Sequence, residues 1–166
     1  MTTIASNSTV GIYLSSPSYT NPVVINPGVT ISNTNIGGDG ISASATAWAI
    51  QNYGSIAGNP TSGVGVYLSA GGSVTNHSSG SISGFTGIYD SQALSVVNFG
   101  SIMGPLGGGI VLNSGGSVNN AASASVILGL DGVDINGSAG TAFNDGSIAG
   151  DTNWGPWTAR TSPAPR

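Results

Sequence analysis

Six aspartates and one histidine are the only acidic or imidazole side chains in this 166-residue chain, and cysteine is absent. Asp90 and Asp134 fall at similar phases of a recurring pattern, and Asp131 lies three residues before Asp134. That spacing raises a paired-carboxylate glycosidase, in which one carboxyl protonates the leaving oxygen and the other serves as base or nucleophile. Such sites gather several acids on one face, often with Lys or Arg. Here no basic residue precedes Arg160, and the other aspartates scatter into turns, where Asp is ordinary. His77, a candidate general base, directly follows Asn76 in a turn and reads as a solvated loop residue.

Two segments, "IGGDGIS" and "GLDGVDING", have the Gly and Asp content of calcium-binding turns, but ligand pairs do not repeat in consecutive units. The glycine runs at 71–72 and 107–109 precede strand-like segments, whereas an anion cradle needs a helix start. No rank of Thr-x-Thr marks an ice-binding face. The expectation is a protein that is not an enzyme and uses no cofactor or metal. One surface feature stays open: Tyr13, Tyr67 and Tyr89 share the outward position of a recurring "GVYL"-like strand. Cross-strand aromatic packing and a sugar-contacting strip both account for it.

Composition narrows the rest. With 39% apolar residues the chain can bury a sizeable core, yet only 5% of it is charged, against about 25% in an ordinary soluble domain. The only two cations, Arg160 and Arg166, lie in the last seven residues, so no basic stripe exists to displace counterions from phosphates, and a nucleic-acid partner is excluded. The net charge of −4 is too diffuse to attract a basic partner strongly. No run of about 18 apolar residues predicts membrane insertion, and the opening "MTTIASNSTVGIYL" has no basic region followed by an apolar core.

The elements that position these residues recur. An asparagine closes a short β-prone segment at Asn26, Asn52, Asn76, Asn98, Asn120 and Asn144, with gaps of 26, 24, 22, 22 and 24 residues. A glycine followed by an apolar residue recurs at Gly11, Gly40, Gly65, Gly87, Gly109 and Gly132, and "GSI" or a near relative forms a third marker. Each unit thus holds three segments of three to five residues with period-two alternation, and helix breakers recur every few residues. A unit of this size cannot close its own core, but stacked turns pair every strand with its equivalents above and below. The predicted fold is all-β, a parallel β-solenoid of about six coils over residues 1–150. Its interior carries columns such as Ile56, Ile82, Ile102, Val126 and Ile148, and residues 151–166 form a Trp- and Pro-rich tail.

The asparagines acquire a reason in that fold. Each lies inward at a bend, where strand pairing stops and backbone groups need partners. Equivalent carboxamides about 4.8 Å apart can bond to one another and to the turn backbone as a ladder. Turn asparagines that tolerate a left-handed backbone are the alternative.

Units of the form "NxGSIxG" followed by "GVYL" and "GGSVTN" resemble the β-strand repeats of bacterial autotransporter passengers and related haemagglutinin-like surface proteins, over roughly residues 10 to 150. The resemblance implies an extracellular or cell-surface place in a Gram-negative bacterium and a role as adhesin, stalk or fibre, with surface glycans as possible partners.

A solenoid's ends expose a whole coil of unpaired backbone. The N-terminal segment reads as one more strand, not a lid, while the tail offers Trp154 and Trp157 either to plug the last coil or to contact a neighbouring copy. Together these features predict a subunit that stacks on itself head to tail into an open filament.

Overall fold

The structure, a computed structural model, describes residues 1–150 and the backbone of 160–161. Among the described residues there is no helix. The chain winds through three parallel sheets, visiting each in turn. The first sheet stacks β1 (Thr2–Ile4), β3 (Val23–Ile25), β6 (Trp48–Asn52), β9 (Gly72–Asn76), β12 (Leu94–Asn98), β15 (Gly116–Asn120) and β18 (Gly140–Asn144). The second stacks β4 (Thr30–Ser32), β7 (Ser55–Ala57), β10 (Ser81–Ser83), β13 (Ser101–Gly104), β16 (Val126–Gly129) and β19 (Ser147–Ala149). The third stacks β2 (Ile12–Leu14), β5 (Ile41–Ala43), β8 (Val64–Leu68), β11 (Thr86–Asp90), β14 (Ile110–Leu112), β17 (Val133–Ile135) and β20 (Arg160–Thr161). From β3 to β20 this makes six full turns. A partial turn precedes them, its second-sheet strand reduced to a bridge between Ser8 and Ile31. The fold is the expected β-solenoid.

Register turns the sequence repeat into columns. In the second sheet Ile31, Ile56, Ile82, Ile102, Ile127 and Ile148 pair in order, and the first five are fully buried. Each such side chain contributes about 2 kcal/mol of burial. The column residue in the fifth full turn is Ile127, which corrects the expected Val126; Val126 pairs with Ser101 and Ser147 instead. The cause is the corner. From the first-sheet asparagine to the isoleucine the chain takes four residues in "NYGSI", six in "NHSSGSI" and seven in "NAASASVI", and the extra residues bulge outward without disturbing the register.

Val23, Ile50, Val74, Val96 and Val118 line the first sheet's inner face, and Ile41, Val66, Ile88, Ile110 and Val133 line the third's. The three inner faces form one core. The glycine marker has a steric origin. A Cβ on Gly65 would sit 2.5 Å from the Gly87 carbonyl oxygen and 2.7 Å from Ile82 Cγ2, so where the chain enters the third sheet it passes too close to the isoleucine column for any side chain. Gly72 and Gly116, both at φ 129, lie beside the bulky Trp48 and Leu94 in the first sheet, in a backbone region L residues rarely adopt.

Candidate functional site

The inward residue closing the first-sheet strands from β6 to β18 is the asparagine of the ladder. Asn52, Asn76, Asn98, Asn120 and Asn144 pair in register, and each Nδ2 donates to the next Oδ1 at 2.9, 2.9, 2.8 and 2.8 Å. The ladder has a direction, every donor pointing toward the C-terminal end. Asn52, Asn76, Asn98 and Asn120 are wholly buried. Each also donates to two corner carbonyls; for Asn98 these are Gly100 and Val126, both at 3.1 Å, and its Oδ1 accepts the Gly100 N–H at 3.2 Å. No residue other than glycine has positive φ among the described residues, so these are not left-handed turn asparagines.

Asn26 does not join. Its column is occupied by Ile25, which pairs with Asn52 on one side and Ile4 on the other, so Asn26 stands one residue beyond the bend and half-buried. Here the corner "NPGVTI" is held by the Val29 N–H donating to the Asn26 carbonyl, and an apolar side chain fills the inward position.

Immediately after three ladder members, Tyr53, His77 and Phe99 form an outward stack. His77 lies 3.7 Å from Tyr53 at 7° between planes and 6.4 Å from Phe99 at 17°. His77 is therefore not a solvated loop residue. Its Nε2 is buried without a partner among the described residues, and burial holds the imidazole below its ordinary pKa. The signal was in the sequence, an aromatic or imidazole ring directly after the asparagine in "QNY", "TNH" and "VNF".

The aspartates part company. Asp90 ends β11 in the column Leu68, Asp90, Leu112, wholly buried, while Asp134 pairs with Val111 on the outward phase and accepts from Asn136 Nδ2 at 2.8 Å. The two carboxyls face opposite sides of the sheet and do not form a glycosidase pair. Asp90 Oδ1 accepts the N–H groups of Ser91 (2.7 Å) and Gln92 (3.1 Å), while Oδ2 has no partner among the described residues. Burial pushes this carboxyl above its ordinary pKa, and the N–H groups of Gln92, Ser91 and Gly71 pull it partway back. Among the described residues no group of three or more His, Cys, Asp or Glu could hold a metal.

The outward column of the third sheet runs Tyr13, Ser42, Tyr67, Tyr89, Val111, Asp134. Tyr67 and Tyr89 are neighbours, centroids 5.6 Å apart and planes tilted by 56°. Tyr13 is separated from them by Ser42 and bonds through its hydroxyl to Ser44 Oγ. Beside the tyrosine pair runs a groove of about 330 Å³ lined by Asp39, Val64, Tyr67, Thr86 and Tyr89. Asp39 is held there by the Val64 N–H donating to its Oδ1 at 2.9 Å; burial raises its pKa and that N–H opposes the rise. Sequence reading missed Asp39 as a partner of the tyrosines because it comes from the preceding turn of the solenoid. Trp154 and Trp157 lie outside the described residues. Compared with family models, curated proteins and solved structures, the chain finds no match.

Proposed function

We propose that the protein is a structural subunit of an extracellular fibre, a β-solenoid that lengthens by stacking head to tail on copies of itself. The observation that carries this reading is the pair of edge strands at the N-terminal end. Among the described residues β1 and β2 each pair with a single neighbouring strand, and no strand pairs with their other edges. Exposed edges are commonly guarded by charge, yet the first charged side chain along the chain is Asp39, beyond both strands. A strand arriving from the C-terminal end of another copy would pair there as each turn pairs with the next, and a heterologous contact of this kind does not close. The asparagine ladder would not run through such a junction, because Ile4 holds its column in β1. Backbone pairing and the apolar columns would carry the contact.

Placement at the surface of a Gram-negative bacterium rests on the resemblance to autotransporter passengers. Negative-stain electron microscopy of the purified chain tests the assembly: filaments about one solenoid wide that lengthen with concentration are expected, and uniformly single particles at high concentration would refute it. A second reading, an adhesin or glycan-binding fragment of such a surface protein, is favoured by the groove beside Tyr67 and Tyr89.

A further inference from the structure

We infer that the groove lined by Asp39, Val64, Tyr67, Thr86 and Tyr89 binds a neutral saccharide. The inference rests on the second reading above and gives it a site and a ligand class. A pyranose ring has an apolar C–H face and a rim of hydroxyls, so it needs aromatic or aliphatic surface on one side and hydrogen-bonding groups at the edge. Tyr67 and Tyr89, 5.6 Å apart in adjacent turns, supply a broader aromatic surface than one ring, and Val64 extends it. Asp39 and Thr86 bring the polar groups, and Asp39 is pre-positioned because its Oδ1 already accepts the Val64 N–H at 2.9 Å. The volume, about 330 Å³, lies at the small end of ligand clefts, which suits one or two sugar rings.

Charge selects within the saccharides. Residues 1–150 contain no Lys or Arg and the groove lining holds no cationic group to balance the carboxylate of a uronic or sialic acid, while Asp39 would repel it. The site sits on rigid backbone, since Tyr67 and Tyr89 are paired in register between β8 and β11, and Val64 pairs with Thr86 in the same ladder. The cleft beside Tyr53, lined also by Thr30, Ser55, Ser79 and Ser81, is smaller at about 190 Å³ and offers a single aromatic ring, one face of which is taken by His77 at 3.7 Å.

The test is saturation-transfer NMR and titration calorimetry on the full chain. The probes are cellopentaose, xylopentaose, maltopentaose and mannopentaose, with a galacturonic acid pentamer as acidic probe and choline as cationic probe. At least one neutral oligosaccharide is expected to bind, with the acidic probe weaker. Tyr67→Ala and Tyr89→Ala should each weaken binding about ten-fold, as the loss of one aromatic contact does. Tyr13→Ala should leave binding unchanged. Val111→Tyr, which places a third ring beside Tyr89 in the same column, should strengthen it and does not depend on a truncated variant remaining folded. Neutral glycan binding that survives the Tyr67→Ala, Tyr89→Ala pair in a folded protein would overturn this site while leaving the adhesin reading standing. Absence of all saccharide binding would overturn both, and binding of choline alone would overturn the ligand class.

Discussion

Asn98 occupies the middle of the ladder, and its replacement by alanine exposes what the carboxamides contribute. Its two Nδ2 hydrogens are shared among Asn120 Oδ1 and the Gly100 and Val126 carbonyls, and Oδ1 accepts from Asn76 Nδ2 and the Gly100 N–H. At about 1 kcal/mol net for each of two donors and two acceptances, their loss alone would cost about 4 kcal/mol, less whatever water recovers at the partly exposed corner. Water cannot recover all of it. Asn120 is wholly buried, and among the described residues its Oδ1 accepts only from Asn98, leaving an orphan acceptor worth about 1 to 3 kcal/mol. Asn76 Nδ2 fares better, retaining the Gly80 and Ser101 carbonyls at 3.2 and 3.1 Å.

The expected destabilisation is therefore about 3 to 6 kcal/mol, which for a chain of this size lowers Tm by about 10 to 20 °C. Asn144→Ala, at the exposed last rung, gives up, among the described residues, acceptance from Asn120 and Gly146 and should cost about 1 to 2 kcal/mol. Asn26→Ala removes no side-chain hydrogen bond found among the described residues and should stay within about 0.5 kcal/mol of the parent. Thermal and urea unfolding followed by far-ultraviolet circular dichroism gives all three. Equal losses at Asn98 and Asn26 would refute the ladder as a source of stability, because both are asparagines at first-sheet corners and only Asn98 joins the ladder.

Two further outcomes follow from groups inside the cylinder. Burial raises the folded-state pKa of Asp90 above its ordinary 3.8, so relative to a neutral isostere the parent protein is best off in acid and loses stability as pH rises through the folded value. Asp90→Asn keeps an oxygen for the Ser91 and Gln92 N–H groups and removes the charge. It should gain about 1 to 3 kcal/mol at pH 7 in urea unfolding, and the gain should vanish near pH 3; a pH-independent difference would contradict the assignment. Gly87→Ala would drive a Cβ to 2.7 Å from Ile102 Cγ2 and against the Gly109 carbonyl, for about 2 to 3 kcal/mol of overpacking. Gly28→Ala, at φ 78 with open space around it, should cost only about 1 kcal/mol of backbone strain; calorimetric Tm values in the reverse order would contradict the steric account.

Three features were legible in the chain alone: the recurrence of asparagine, of glycine before an apolar residue, and of the serine-isoleucine pair. Each is a local demand, for a bend donor, for a bare backbone against a neighbouring column, and for an inward apolar side chain, and a demand repeated in every turn appears as a period. Alternation likewise placed Val74 and Asn76 inward and Tyr67 outward. What it could not place were residues whose phase depends on corner length. Val126 yields the core position to Ile127 because "NAASASVI" spends seven residues where "NYGSI" spends four, and Asn26 misses the ladder because Ile25 reaches the bend first. Asp90 and Asp134 lie on opposite faces because Asp90 stands three residues after Gly87 and Asp134 two after Gly132, an offset of one residue in a strand. The meeting of Asp39 with Tyr67 and Tyr89 and the stacking of His77 between Tyr53 and Phe99 join residues more than 20 positions apart. Local patterning could prescribe that turns stack, but which side chains touch was decided by the backbone pairing that set each turn's register on the last.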